Sequence, residues 1–392
     1  MKTLIQNVKI IDRGRIFDGN ILIENGVILS CGNETDAGGA AEIVDGGGCY
    51  AVPGFVELHA HGAGGFDFMD ASPEDFARAC KTHLLHGTTT ILPTTLTGKF
   101  EGIYDVIDRF RASKAFMLDG PYTPGLHLEG PYLAMAQRGA QDSRYIKNPE
   151  PAEYRALIAY AAGDVARWTI APELPGAIEM GDILAQAGIL ASIGHTDAEY
   201  DTVLEATRHG YSHITHLYSC TSTIVRRGGF RYPGVIESAY MLEDLTVEVI
   251  ADGCHLPPEL LNMVYRLKTP ERVALISDSL RCAGQDVTES VSGPLHDGQR
   301  ILIEDGVAKL PDRTAFAGSV ATADRLLCVT HQKAGVPLAD CVRMMSETPA
   351  RILGLSHRKG RLAPGLDADI VLLNNDLSIH AVYYAGELVS ST

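Results

Sequence analysis

At 392 residues, with 33 Lys and Arg against 49 Asp and Glu and a net charge of −16, the chain has room for a core far larger than that of an average domain. The acidic balance and the lack of a long basic run exclude a non-specific nucleic-acid binder, but not a small phosphorylated ligand held by one or two arginines. The absence of a long uncharged apolar run, of a secretory-type apolar core near Met1 and of any CxxC pair among eight cysteines predicts a cytoplasmic protein with reduced thiols.

The first fifty residues read as short strands joined by turns, with Asn25-Gly26 as a two-residue hairpin turn. The same texture returns after about residue 355, where Ala368-Asp369-Ile370-Val371-Leu372-Leu373 follows Pro364-Gly365. Both ends, residues 1–54 and 355–392, are therefore β-rich, and the stretch 55–354 between them is different.

That middle stretch repeats a unit of helix, glycine and short apolar run. Ser72-Pro73-Glu74-Asp75 carries an N-cap serine, a proline at the first helical position and an acid in the first turn, and the helix it opens ends before Gly87. Gly188 and Gly210 end two more helices ahead of apolar runs, the junction typical of alternating parallel-sheet proteins. Strand candidates fall at 55–58, 88–92, 125–128, 168–171, 191–194, 213–215, 246–251 and 273–277. Eight such strands alternating with helices predict an α/β fold, a (β/α)8 TIM-type barrel whose site lies at the C-terminal strand ends. A doubly wound open sheet fits less well, because no GxGxxG turn follows the first strand.

The strand ends carry the chemistry. Residues i and i+2 of a strand share a face about 6 to 7 Å apart, so His59 and His61 can converge on one ion. The third candidate strand ends in His127-Leu128-Glu129, the fifth in Gly194-His195, the sixth runs His213-Ile214-Thr215-His216, and the eighth ends in Ile276-Ser277-Asp278. A single buried histidine is usually a hydrogen-bonded core residue. Four histidines and two carboxylates at ends that this fold points into one cavity are a different matter. His127 and His213 share strands with candidates and read as packing or supporting residues, whereas His83, His86, His209, His296, His331, His357 and His380 fall on helices or loops.

With these residues in place, the whole chain resembles the amidohydrolase superfamily and, within it, the N-acetylglucosamine-6-phosphate deacetylases. The resemblance rests on Pro53-Gly54-Phe55-Val56-Glu57-Leu58-His59-Ala60-His61-Gly62, His127-Leu128-Glu129-Gly130-Pro131-Tyr132, Gly194-His195-Thr196, Thr215-His216-Leu217-Tyr218, Ile250-Ala251-Asp252-Gly253-Cys254-His255, Ile276-Ser277-Asp278 and Ala317-Gly318-Ser319. It implies a metal held by Glu129, His195 and His216, and a second held by His59 and His61 with Glu129 bridging. Two divalent ions per chain follow from it, which His and carboxylate ligands allow to be zinc, iron or manganese. So does one small β-sandwich domain formed from both chain termini, residues 1–54 with 355–392, beside a catalytic barrel of residues 55–354. It further implies Asp278 as general base and then acid, His255 over the acetamide carbonyl, and a homodimer in which Arg231 of the Arg231-Tyr232-Pro233-Gly234 stretch reaches the phosphate in the neighbouring subunit. The implied substrate is a phosphorylated amino sugar, with no nucleic acid or membrane partner.

The chain departs from that family's pattern at one place. Where the family reads His-Leu-(Tyr/Phe)-Asn-Ala-Met, this chain has His216-Leu217-Tyr218-Ser219-Cys220-Thr221, followed by a longer loop over 222–230 that contains Arg226 and Arg227. Ser219, Cys220 and Arg227 are therefore the candidates for altered contacts to sugar and phosphate, and N-acetylgalactosamine 6-phosphate stays open as the substrate. Cyclic amidohydrolases use a carboxylated lysine at the end of strand four, and Trp168-Thr169-Ile170-Ala171-Pro172-Glu173 offers none. A barrel scaffold without activity is disfavoured by the complete donor set and Asp278.

Overall fold

The computed structural model describes residues 2–391. Eight short strands occupy the predicted places: β1 (Phe55–Ala60), β2 (Thr88–Pro93), β3 (Leu126–Glu129), β4 (Val165–Ile170), β5 (Leu190–Ile193), β6 (Tyr211–Ile214), β7 (Thr246–Ile250) and β8 (Val273–Ile276). Strands β3 to β8 pair in chain order, all parallel, and β1 pairs with β2 in the same sense. Bridges from Thr90 to Tyr122 and from Thr94 to His127 join β2 to the β3 side. A bridge from Ala60 to Ser279 joins β1 to the end of β8, which closes the ring. The result is a (β/α)8 barrel.

Helices cover the outside of this ring, so its strands are buried on both faces, with polar residues such as Glu57, His59 and Glu248 among them. The helix Pro73–Leu85 shows how locally its ends are set: Ser72 Oγ accepts from Asp75 N at 3.2 Å, as the cap sequence requires. At its other end the chain turns through Gly87, whose φ of +91° suits a residue without Cβ.

Both termini contribute to one eight-stranded sheet. Tyr50–Pro53 lies between Lys2–Asp12 and the antiparallel strand Ile370–Leu373, and a separate apolar core of Ile5, Ile10, Ile21, Ile370 and Leu372 fills one side. The Asn25-Gly26 turn is present, with Glu24 opposite Val27 and both turn residues at positive φ.

Two features depart from the sequence reading. Residues 289–318 form a four-stranded antiparallel sheet (Glu289–Ser292, Gln299–Glu304, Val307–Lys309 and Phe316–Gly318) inserted after β8, where only barrel elements were expected. The 222–230 loop is largely a two-stranded ribbon, Val225–Arg227 against Phe230–Tyr232. Its residues 225–227 are all exposed, so no alternation of apolar and polar side chains marked it as a strand. Among the described residues no helix is long and apolar enough to cross a membrane.

Candidate functional site

A cavity of about 270 Å³ opens at the C-terminal strand ends and is lined by His61, Glu129, His195, His216, His255 and Asp278, with Ser219 and Cys220 at its wall. A larger cleft of about 630 Å³ lies beside it and shares Leu96, Ala140, Gln141 and Ser292, but none of the clustered imidazoles. The smaller cavity holds the chemistry. His59 and Glu129 stand near or at the ends of β1 and β3. His195, His216 and Asp278 each sit two residues past the last residue of their strands. These last three adopt φ of +48°, +27° and +50°, and Tyr218 and Cys220 follow at +81° and +51°. Left-handed conformations at non-glycine residues cost energy, and their concentration at one rim marks the backbone as bent to aim side chains inward.

Glu129 is the hub. Its Oε1 lies 3.0 Å from His216 Nε2, 3.2 Å from His195 Nε2 and 3.4 Å from His59 Nε2, while its Oε2 lies 3.4 Å from His61 Nε2. Gln141 Nε2 donates to Oε2 at 2.6 Å. Two triads, His59-His61-Glu129 and Glu129-His195-His216, thus share one carboxylate, with the donor atoms of each triad within 4.8 Å of one another.

The opposite ring nitrogens fix which atom faces the centre. His61, His195 and His216 direct Nδ1 at the backbone carbonyls of Thr94, Gln137 and Ser219, at 3.3, 2.9 and 3.0 Å. A carbonyl only accepts, so Nδ1 carries the hydrogen and each neutral ring presents the bare Nε2 lone pair inward. His59 does the same with Nδ1 donating to Glu248 Oε1 at 2.9 Å. With both rings neutral, His59 Nε2 and His61 Nε2 face each other at 3.3 Å with no hydrogen between them. Converging lone pairs around a buried carboxylate ask for a cation, and a set of imidazole nitrogens and carboxylate oxygens suits a divalent transition metal.

Without a cation, the same surplus of negative charge favours a proton on these rings, the positive charge that a bound ion would replace. Burial alone would keep His59 neutral, but the negative charges of Glu129 and Asp278 outweigh it and push the ring up to about 10. Burial would raise Glu129, yet the charges of His59 and His195 hold it well below the usual carboxylate range. His127 and His213 lie outside this ring of donors. His127 Nε2 meets Thr169 Oγ1 at 2.7 Å, His213 Nε2 lies 3.3 Å from Glu248 Oε2, and burial pushes both imidazoles down and keeps them neutral.

Asp278 faces the His59-His61 side, with Oδ1 at 3.1 Å from His61 Nε2 and 3.5 Å from His59 Nε2. On the far wall Asp252 accepts from His255 Nδ1 at 2.8 Å and from two backbone N–H groups of its own loop, leaving His255 Nε2 as the free ring atom. The edge of Phe316, from the inserted sheet, meets the His255 ring with centroids 4.9 Å apart. Cys220 packs against Gly139, where an added Cβ would come within 2.5 Å of its sulfur. Arg227 and Arg231 lie on the exposed ribbon and not in the cavity lining of this single chain. Arg227 pairs with Glu199 at 2.6 Å and stacks over Tyr232, and Arg231 donates to Gly229 O at 2.9 Å.

Sequence reasoning gave no role to Asp252, which entered only within a matching segment, and passed over Arg167, Glu248, Gln141 and Phe316. Arg167 and Glu248 had a signal, a charge inside an apolar strand run, in Trp168's strand and in Thr246–Ile250. Gln141 and Phe316 had none, since both enter from loops or from the inserted sheet.

A closed parallel barrel with imidazoles and carboxylates gathered at the C-terminal strand ends defines a (β/α)8 protein whose site could hold a metal ion. A family model for the amidohydrolase family matches residues 50–389, and the chain belongs to that family. It is 30% identical over 389 residues to the N-acetylglucosamine-6-phosphate deacetylase of Lysinibacillus sphaericus, covering 99% of this chain and 98% of that protein. It is 29% identical over 339 residues to the N-acetylgalactosamine-6-phosphate deacetylase of a Shewanella species, covering 86% of this chain and 82% of the other. A solved structure of a mutant N-acetyl-D-glucosamine-6-phosphate deacetylase from Mycobacterium smegmatis, in complex with N-acetyl-D-glucosamine 6-phosphate, superposes with a TM-score of 0.89. Its identity is 31%, and 100% of this chain and 99% of that one are covered.

Proposed function

We propose that the protein hydrolyses the acetamide of N-acetyl-D-glucosamine 6-phosphate to glucosamine 6-phosphate and acetate, in amino-sugar catabolism. The observation that carries the reading is Glu129 shared between two histidine pairs with Asp278 facing one of them. His59, His61, Glu129, His195 and His216 would hold the divalent metal, with Glu129 between two ions of zinc, iron or manganese. A bound divalent ion supplies a water of lowered pKa and polarises the carbonyl it meets.

The rest falls to the side chains. Asp278 takes the proton of the attacking water through Oδ1 as the carbon–oxygen bond forms at the acetyl carbon. It then returns that proton to the amine nitrogen as the carbon–nitrogen bond breaks. His255, oriented by Asp252, presents Nε2 to the acetamide oxygen and in its protonated form donates a hydrogen bond to the charge developing there. Asp252 balances that charge. Burial of the cluster keeps competing water out and strengthens each of these interactions.

The ribbon carrying Arg227 and Arg231 is exposed on this chain, which suits a homodimer in which Arg231 crosses to the partner's phosphate site. Cytoplasmic residence and the unit boundaries 1–54 with 355–392 against 55–354 belong to the same reading. Ser219 and Cys220 lie at the cavity wall, so a second substrate of the same class, N-acetylgalactosamine 6-phosphate, stays open. Acetate release measured side by side on the two sugar phosphates tests the assignment: turnover of neither would overturn it, and the ratio of kcat/KM values identifies the sugar.

A further inference from the structure

Beneath the metal-type donors, in the floor of the barrel, Arg167 on β4 and Glu248 on β7 form an ion pair that is wholly buried. All five guanidinium N–H groups are used: Nε donates to Ser192 Oγ at 2.9 Å, Nη1 to Leu58 O at 3.2 Å and Glu248 Oε2 at 2.5 Å, Nη2 to Thr215 Oγ1 at 2.8 Å and Glu248 Oε1 at 2.9 Å. Glu248 in turn accepts from His59 Nδ1 at 2.9 Å and from the backbone N–H of His216 at 3.3 Å. One carboxylate therefore touches a member of each triad. Arg167 fixes the carbonyl just before His59 and the side chain just before His216.

A buried ion pair gives little net stability over apolar residues of the same volume. Stability alone does not account for the pair. Its contacts do: the carboxylate fixes the His59 tautomer and ring plane, and a histidine whose Nδ1–H is held by a carboxylate is a more basic ligand through Nε2.

We propose that Glu248, clamped by Arg167, is the positioning residue that presents His59 Nε2 to a metal and couples the His59-His61 half of the site to the His216 half. The inference rests on the metal-site reading above. The test uses metal-stripped protein titrated with Co²⁺ against a chromophoric chelator, for the parent, Glu248→Gln and the double variant Glu248→Gln/Arg167→Met, with far-UV circular dichroism as the check of fold. The double variant is included because Glu248→Gln alone leaves a buried guanidinium unpaired.

The expected result is a folded double variant that binds one Co²⁺ as the parent does and the other about 10- to 100-fold more weakly, the usual cost of losing such a supporting carboxylate. Equal binding of both ions by parent and folded double variant overturns the inference and leaves the metal site standing. A parent that takes up no Co²⁺ overturns both. A second measurement needs no variant: the parent must show an exchange-protected, downfield imidazole N–H resonance assigned to His59 Nδ1, and its absence overturns the positioning role.

Discussion

Asp278 Oδ1 lies 3.1 Å from His61 Nε2, on the side of the cluster where His59 Nε2 and His61 Nε2 face each other at 3.3 Å. The carboxylate thus faces the His59-His61 pair, and among the described residues no Lys or Arg lines the cavity beside it.

Replacing Asp278 by Asn keeps shape and hydrogen bonding but removes the proton acceptor. Turnover is expected to fall by about 10²- to 10⁴-fold, the usual worth of a positioned general base, with metal content unchanged. Steady-state kinetics with elemental analysis checks this; activity near that of the parent would end the assignment.

The two triads predict two divalent ions per chain. Elemental analysis of freshly purified protein should approach that number, and His59→Ala should bring it toward one, because Glu129, His195 and His216 remain intact. A parent value of one that His59→Ala leaves unchanged would rule out a site at His59 and His61.

Arg231 is solvent-exposed on its ribbon, so its loss should not disturb the fold. If it reaches a partner's phosphate, Arg231→Ala should weaken kcat/KM for the sugar phosphate by roughly 10- to 100-fold, the value of a hydrogen bond to a charged group, and leave the unphosphorylated sugar nearly untouched. Equal loss on both substrates would show that the arginine does not read the phosphate.

Asp252 links the site to acid stability. Burial would raise its carboxyl, but the hydrogen bond from His255 outweighs this and holds it below its ordinary 3.8. The folded chain then binds fewer protons at this group than the unfolded chain. The stabilisation is complete above the ordinary carboxylate value and is lost as pH falls through the lower folded value. Asp252→Asn should flatten that part of the acid limb in melting temperature against pH, and should raise KM through the freed His255 ring. A variant whose acid limb matches that of the parent would remove Asp252 from this role.

The sequence by itself determined the alternation of helix and strand, the eight strand positions and the donor types at their ends. These are local properties: caps, helix-ending glycines and apolar runs are written within ten residues of one another. It also marked both termini as β-rich, and the hairpin at Asn25-Gly26 is where its turn chemistry puts it. Only the tertiary structure decided the rest. That Glu129, far in sequence from His59 and His216, stands within 3.4 Å of both depends on closing the barrel. The Arg167-Glu248 pair beneath them spans 81 residues, and Phe316 enters the wall from an inserted sheet with no barrel periodicity. Strand spacing says which face a side chain takes; which side chains from other strands meet it is fixed by the register and curvature of the closed sheet, and no single segment encodes that.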